Sequence, residues 1–512
     1  MTYGFIIDNR KCIGCHACTV ACKAEHETPI GVNRTWVKYV EKGSFPNTQR
    51  AFSVMRCNHC ADAPCVTICP VTALYTRPDG IVDFDPRLCI GCKACLQACP
   101  YDALYIDPES HTAAKCNYCA HRVEIGLEPP CVNVCPTHAI ISGDIDDRES
   151  EIAQLLAREP VQVRKPEKGT SPKLYYIEAD EASLSPGATS SEGSYMWSDP
   201  PPQGVDLDAW RVAIARFHQE QDAYQGLAEK AKKVYAAPEP HRGSWGKSVS
   251  GYLFTKSIAT GAFMVLTALL AFRPRPDLES LFPTSILSLV FLSLTAFLLV
   301  YKLERPERFL WVLTRPQWRS WLARGAYLMT AYGALLSVVL LLSFLEWDVP
   351  GALLALTALA AAGTALYSAF LFNQAKGRDL WQSPALPISL LAQAVVSGAG
   401  ALALLSLFVG SLEDLEGALL RVLAGGLAVH LLTLGAEFAS HHSTADAEAA
   451  KALIIKGRYS SRFWGVVFVL GHLVPIGLLA GGQLGPAAVL ALVGVLVFED
   501  LFVRAGQEIA LA

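Results

Sequence analysis

All sixteen cysteines of this 512-residue chain lie between Cys12 and Cys135, and they fall in four runs. The first is Cys12-x2-Cys15-x2-Cys18-x3-Cys22, and the second is Cys57-x2-Cys60-x4-Cys65-x3-Cys69-Pro70. The third is Cys89-x2-Cys92-x2-Cys95-x3-Cys99-Pro100, and the fourth is Cys116-x2-Cys119-x11-Cys131-x3-Cys135-Pro136. A close triplet places three thiolates on one tight loop, around one corner of a cube. The fourth cysteine, three residues on, points away from that loop.

In two-cluster ferredoxins this fourth cysteine ligates the other cluster, and C-x2-C-x2-C-x3-C-P is the signature. The third run matches in full. The first has Lys23 where the proline would stand, and the second and fourth carry insertions inside the triplet. Four runs therefore imply four [4Fe–4S] clusters in two ferredoxin-like pairs. Pairing the second run with the third, and the first with the fourth, assigns the ligands. Cys12, Cys15 and Cys18 go with Cys135, and Cys116, Cys119 and Cys131 with Cys22. Cys57, Cys60 and Cys65 go with Cys99, and Cys89, Cys92 and Cys95 with Cys69. A disulfide scaffold needs an oxidising compartment, and no cleavable N-terminal signal is expected here. Zinc takes cysteine pairs in closed sets of four, which leaves the recurring x3-Cys-Pro unexplained. His16, His59, His111, His121 and His138 lie near the runs, but with a full cysteine complement none is needed as a ligand.

Hydrophobic residues make up 52% of the sequence and charged ones 18%, too apolar for an average soluble protein. The net charge of −4 gives no reason to expect a nucleic-acid partner. The averages hide a change near residue 250, where the sequence turns rich in Leu, Ala, Val and Gly. Eight apolar runs follow, near 252–271, 284–303, 324–345, 351–373, 385–409, 416–439, 463–481 and 484–503. Each approaches or exceeds the roughly 18–20 residues that span a bilayer, and Pro283, Pro350 and Pro384 mark helix starts. The expected fold is an α+β double ferredoxin-like Fe–S domain over 1–145, an extension and linker over 146–249, and an all-α eight-helix transmembrane bundle over 250–512. Within the first part, alternating residues predict a strand over 1–11, a hairpin over 34–56 and small hairpins after the cysteine runs. A helix over 150–158, a strand over 173–178, a Ser/Gly/Pro-rich linker or arm over 181–204 and an amphipathic helix over 206–236 complete the expectation.

One set of inter-helix loops carries Arg242, Lys247, Lys302, Arg305, Arg308, Arg315, Arg319, Arg324, Lys376, Arg378, Lys451, Lys456, Arg458, Arg462 and Arg504. The opposite set carries only Arg273 and Arg275, with Arg421 just inside a helix. The positive-inside rule puts the rich side in the cytoplasm. Eight spans place both termini there, and the Fe–S domain with them, on a multi-pass protein of the cytoplasmic (inner) membrane.

Ionisable residues inside a membrane are costly and usually functional. Lys256 sits one turn into the first span, where it either serves a site or snorkels to the interface. His430 and Glu437 are seven apart in the sixth span and share a face, and His441 and His442 close that span at its cytoplasmic end. His472 lies in the seventh span, and Asp500 and Arg504 near the end of the last. His430 and His472 share a depth, as a bis-His haem b would require, but a lone pair is weak support and haem is not expected. Tyr367 and Asn373 end the fourth span. With Lys256, Glu437 and His441 they could surround a quinone head group, Glu437 and His441 exchanging protons. Helix-packing hydrogen bonds are the alternative role for each.

The first 145 or so residues resemble the four-cluster electron-transfer subunits of membrane-bound molybdopterin oxidoreductases, the DmsB/PsrB/PhsB type. All four cysteine runs match, both unusual spacings included. The membrane half resembles the eight-span NrfD/PsrC-type quinone-binding anchor. The resemblance is carried by Leu303-Glu304-Arg305-Pro306-Glu307-Arg308-Phe309, Ser320-Trp321-Leu322-Ala323-Arg324-Gly325, Trp381-Gln382-Ser383-Pro384-Ala385-Leu386-Pro387 and Phe502-Val503-Arg504-Ala505-Gly506-Gln507. A DmsC-like anchor is the near alternative. The resemblance implies a fusion of parts usually found on separate chains, and a separate molybdopterin catalytic subunit as partner. It further implies menaquinone or ubiquinone in the membrane, touched by the first and fourth spans near Tyr252 to Lys256 and Tyr367. Electrons would pass between that quinone pool and a partner acting on sulfite, polysulfide, thiosulfate or a DMSO-type substrate. Many relatives work outside the membrane, so the loop charges favour a cytoplasmic enzyme, as in sulfite:quinone oxidoreductases of this type. A dimer of complexes stays open. The alternative function is a redox-driven ion-translocating module, with His430, Glu437, His472 and Asp500 as its relay.

Overall fold

The computed structural model describes residues 1–43, 46–189, 231–235, 244–271, 278–439 and 444–512. The strand Tyr3–Asp8 is central to a four-stranded sheet, antiparallel to Ile140–Asp144 on one side and parallel to Leu174–Ile177 on the other. Its alternation sorts its side chains to two faces. Phe5 and Ile7 join Tyr118 and Tyr176 in one core, while Ile6 packs with Ile141, Ile152 and Ile177 in another. Ile152 belongs to the helix Glu151–Arg158, which starts where the Ser150 hydroxyl accepts from the Ala153 amide at 3.2 Å. The sheet thus draws in Leu174–Ile177, well past residue 145.

Thr35–Lys42 and Gln49–Arg56 form the expected hairpin, with Val37 opposite Val54. Small hairpins recur as Leu74–Thr76 with Val82–Phe84 and as Leu104–Ile106 with Ala113–Lys115. One expectation needs correcting. Residues 232–235 are not the end of an amphipathic helix but a strand, Lys232–Tyr235, paired to the open edge of Thr35–Lys42. An edge strand offers unpaired amides and carbonyls, and Val234 and Tyr235 suit a pleated surface better than a helix. The rest of that expected helix lies outside the described residues. Of the 181–204 stretch, Glu181–Leu184 is a short helix capped by Asp180, which accepts from the Ala182 amide; the part beyond residue 189 lies outside the described residues.

Among the described residues, eight helices are long and apolar enough to cross a membrane: Lys247–Ala271, Leu281–Tyr301, Trp321–Phe344, Gly351–Gln374, Leu386–Ser406, Gly410–Ala439, Arg462–Ala480 and Leu484–Glu508. The first and fifth are the most buried. They approach at Gly261 and Gly398, where a Cβ on either would strike the other helix's backbone, the small-residue contact that lipid-embedded helices use. Val290, Phe297, Leu341 and Leu432 point outward, as lipid-facing positions do. The seventh span is π-helical over Arg462–Leu473 and α-helical over Val474–Ala480.

The cysteine-rich unit sits on the end of the bundle that carries the basic loops. Arg305 donates to the Ser110 carbonyl at 3.0 and 2.7 Å, and Arg308 to the Cys89 carbonyl at 2.8 Å. Arg378, buried, donates from Nε to Gln97 Oε1 at 2.9 Å. The Ser320 hydroxyl donates to the Ile68 carbonyl at 2.6 Å. Cations counted as a topology signal therefore also hold the two halves together.

Candidate functional site

The sixteen cysteines fall into four groups in space. Cys12, Cys15, Cys18 and Cys135 line one small cavity; Cys22, Cys116, Cys119 and Cys131 line a second; Cys69, Cys89, Cys92 and Cys95 line a third. Cys57, Cys60, Cys65 and Cys99 lie close enough for their charges to act on one another. None of the sixteen is in a disulfide. Among the described residues no three His, Cys, Asp or Glu side chains converge on a single-ion position. Three of the sets each wall a small cavity with four thiols, the complement that a cube takes. Gly14 and Gly91 hold the same place in the first and third runs, both at φ +69°, where a side chain would be strained. Amides aim at sulfur nearby: Gly91 and Ala113 donate to Cys89 Sγ, each at 3.4 Å, and Ala139 to Cys135 Sγ at 3.2 Å. The residues present fit [4Fe–4S] clusters.

Two groups tune this environment. Arg56 is buried, with Nη1 3.2 Å from Cys131 Sγ and its guanidinium 4.6 Å from the Phe5 ring centre. Its charge also reaches Cys18 and Cys116, so it serves two neighbouring sets. His26 Nε2 lies 3.2 Å from Cys119 Sγ, and burial holds its pKa down to about 4. With its proton on Nε2 the ring donates to that sulfur.

The third set faces the membrane half. The stretch around Glu304 grips its loop: the Glu304 amide donates to the Gly91 carbonyl, the Arg305 amide to the Ile90 carbonyl, and Lys93 Nζ pairs with the Glu304 carboxylate at 2.5 Å. Just inside lies a mostly apolar cavity of about 430 Å³, with Cys92, Lys93, Trp245, Tyr252, Met329 and Tyr367 among its walls. That is the size and character of a small-molecule site. Trp245 bridges the halves, its Nε1 donating to the Cys92 carbonyl at 3.3 Å and its ring stacking on Trp381 at 5.6 Å.

Behind this cavity Lys256 is buried and does not snorkel. Its Nζ donates to Ser368 Oγ at 2.7 Å and to the Ala365 carbonyl at 2.9 Å, and it stands 5.1 Å from the Tyr367 ring centre. Its charge is felt by Glu499 of the last span. Glu499 is 2% exposed; Oε1 accepts from Ser257 at 3.5 Å, and Oε2 has no hydrogen-bond partner among the described residues. A second, smaller cavity is lined by Glu499 and Glu437, with Ser389, Gln393 and Thr433. Glu437 accepts from the Ser383 hydroxyl. Farther along, His430 Nδ1 and His472 Nε2 are hydrogen-bonded at 3.0 Å, too close to flank an iron, and His472 Nδ1 donates to the Val467 carbonyl at 2.8 Å.

Residues 48–145 match the family described as "4Fe-4S dicluster domain", and residues 237–510 match "Polysulphide reductase, NrfD". The second match alone covers more than half of the polypeptide. This protein belongs to the NrfD family. The NrfD-family protein is also similar to a tetrathionate reductase subunit of Salmonella typhimurium, at 46% identity over 36% of this sequence and 75% of that one. It is 43% identical to a component of the polysulfide reductase of Wolinella succinogenes, over 34% of this sequence and 93% of the relative. Protein NrfC of Escherichia coli is also 43% identical, over 34% of this sequence and 80% of its own length. The chain is thus an Fe–S electron-transfer unit continuous with an NrfD-type multi-pass membrane anchor, and a member of an oxidoreductase complex.

Within the NrfD half, the expected residues separate. Tyr252 and Tyr367 reach the large cavity, Lys256 lies behind it, and Glu437 opens onto the smaller one. Asn373 is exposed and lines neither, so the structure does not bring it to a shared pocket. His441 and His442 lie outside the described residues. Asp500 pairs with Arg504 at 2.9 Å and accepts from the Ser250 hydroxyl at 3.2 Å. Sequence reasoning missed Arg56, His26, Trp245 and Glu499. The rule that singled out Asp500 applied equally to Glu499; Trp245 carried no motif at all.

Proposed function

We propose that this protein is the electron-transfer and membrane-anchor subunit of a molybdopterin oxidoreductase complex, linking a separate catalytic subunit to the membrane quinone pool. The observation that carries the reading is that Cys92, a ligand candidate, and Tyr252 and Tyr367 wall the same apolar cavity. A quinone head group bound there would lie beside the third cysteine set. The four sets of thiolates would hold [4Fe–4S] clusters, which supply one-electron carriage when bound. The protein's own residues do the rest. Arg56 and the amides aimed at sulfur set the electrostatic environment, the Glu304 stretch fixes the third loop against the bundle, and the apolar walls keep water from the head group. Relatives named for tetrathionate, polysulfide and arsenate reduction support a small oxyanion or sulfur compound as the partner's substrate. The basic end, with the Fe–S unit docked on it, is assigned to the cytoplasm by the positive-inside rule, which favours a sulfite-type partner.

The test uses the purified full-length protein with its clusters reduced by dithionite. A short-chain naphthoquinone should reoxidise them, EPR should count four clusters, and Tyr367→Leu should raise the quinone KM. Clusters that a soluble dye reoxidises but the naphthoquinone does not would refute the reading. The buried His430–His472 bond, at the end of the π-helical stretch of the seventh span, favours a second reading, a redox-driven ion-translocating module. Charge moved per quinone in proteoliposomes separates the two.

A further inference from the structure

We infer that Glu499 and Lys256 form the inner step of a proton route that serves the large cavity and starts on the side where the Fe–S unit sits; this rests on the quinone reading above. The groups run from a loop at that end of the bundle to the large cavity, with the small cavity between them. Ser383, in a loop between the fourth and fifth spans, donates to Glu437. Glu437 and Glu499 line the same small cavity, walled further by the polar Ser389, Gln393 and Thr433. Glu499 Oε2 is buried with no hydrogen-bond partner among the described residues, a costly arrangement that a proton or a water in that cavity relieves. The Lys256 charge acts on it across the bundle interior, and the Ser257 hydroxyl on the same helix donates to Oε1 at 3.5 Å. Lys256 hands on to the Ser368 hydroxyl at 2.7 Å. Ser368 acts electrostatically on both Tyr252 and Tyr367; the Tyr367 hydroxyl itself donates to Met329 Sδ at 3.5 Å, and both tyrosines wall the large cavity.

The balance is simple. A quinone gains two electrons from the side of Cys92 and two protons, and becomes a quinol. Each proton leaving a tyrosine hydroxyl for a quinone oxygen is replaced through Ser368 from the Lys256 ammonium. The Lys256 amine is reprotonated by the Glu499 carboxyl, and the Glu499 carboxylate is refilled across the small cavity from Glu437. Quinol oxidation runs every step backwards. Electrons and protons then enter from the same end of the bundle, so this route moves no net charge across the membrane. Glu499 acts through Lys256 and is a positioning residue; it touches no quinone in this scheme.

The experiment compares the full-length, cluster-loaded protein with Glu499→Gln and Glu499→Asp, using the short-chain naphthoquinone as acceptor. Glu499→Gln should lower kcat by roughly a hundredfold with KM unchanged, abolish the pH dependence of kcat and leave the EPR signals of the reduced clusters intact. Glu499→Asp should restore most of the rate. In vesicles, protons should be taken up on the face that bears the Fe–S unit. An unchanged kcat and pH profile in Glu499→Gln, or equal losses in the Gln and Asp variants with clusters intact, would overturn the inference. Should Glu499→Gln fail to assemble, Lys256→Met must show the same kcat loss at constant KM, and a wild-type rate there overturns it equally. Wild-type protein that does not react with the naphthoquinone at all would instead overturn the functional reading beneath it.

Discussion

The indole Nε1 of Trp245 donates to the carbonyl oxygen of Cys92 at 3.3 Å. One residue just ahead of the first span thus touches the backbone of a cluster loop and walls the cavity beneath it. Its backbone amide is held by Gln507 Oε1 at 2.9 Å and its ring by Trp381, so the first and last spans are tied together at the same point. Trp245→Leu removes the bond and the stacking. Reoxidation of reduced clusters by a naphthoquinone should slow, while EPR still counts every cluster. An unaltered rate would show that the bridge has no part in the transfer.

Gly377 meets the cysteine-rich unit with no room to spare. A Cβ there would stand 2.6 Å from the Cys99 carbonyl oxygen and 2.7 Å from that of Gln97, both backbone atoms that cannot swing aside. Gly377→Ala should therefore lift the loop off the unit at a cost of about 1–3 kcal/mol. Faster amide hydrogen exchange around residues 97–103 and 375–382 is the expected readout, and unchanged protection would contradict the packing described.

Arg56 places a fixed positive charge between two cysteine sets. A nearby cation favours the reduced, more negative state of a cluster. Arg56→Met should lower the midpoint potentials of the clusters at Cys12/Cys15/Cys18/Cys135 and Cys22/Cys116/Cys119/Cys131 by on the order of 100 mV. Arg56→Lys should recover much of the loss. EPR-monitored redox titration measures both, and potentials that stay put would deny Arg56 this role.

Cys95→Ala takes one thiolate from the set that faces the membrane half. The expected protein has altered or missing signal from one cluster and normal reduction of the others by dithionite. Its naphthoquinone-dependent reoxidation should be lost. Retention of that activity would move the exit point to another set.

Much of this architecture is a matter of local spacing. A triplet of cysteines closes on a tight loop wherever it is placed, and the x3 offset turns the fourth thiol toward a neighbour. The triplet Cys12, Cys15 and Cys18 could therefore be written down from the amino-acid order; that Cys135 joins it came from pairing the first run with the fourth, and the four line one cavity. Hydropathy and length likewise marked eight spans, and loop charge marked the end on which the Fe–S unit docks. Arg305, Arg308 and Arg378 signal that end partly because they are the docking groups themselves.

Rotation about each helix axis was not legible in the same way. Tyr367 and Asn373 both lie toward the basic end of the fourth span, but six residues advance a helix by about 9 Å and turn it by about 600°, so they face different directions. One reaches the cavity and the other is exposed. Glu499 and Asp500 are neighbours about 100° apart; one points into the bundle toward Lys256, and the other pairs with Arg504 nearer the surface. Sequence alone determined the cysteine runs, the number of spans and the charged end, because those depend on spacing over a few residues or on bulk transfer into lipid. The tertiary structure decided which set faces the membrane and which polar side chains share a cavity, because helix rotation is set by packing such as Gly261 against Gly398, between segments distant in sequence.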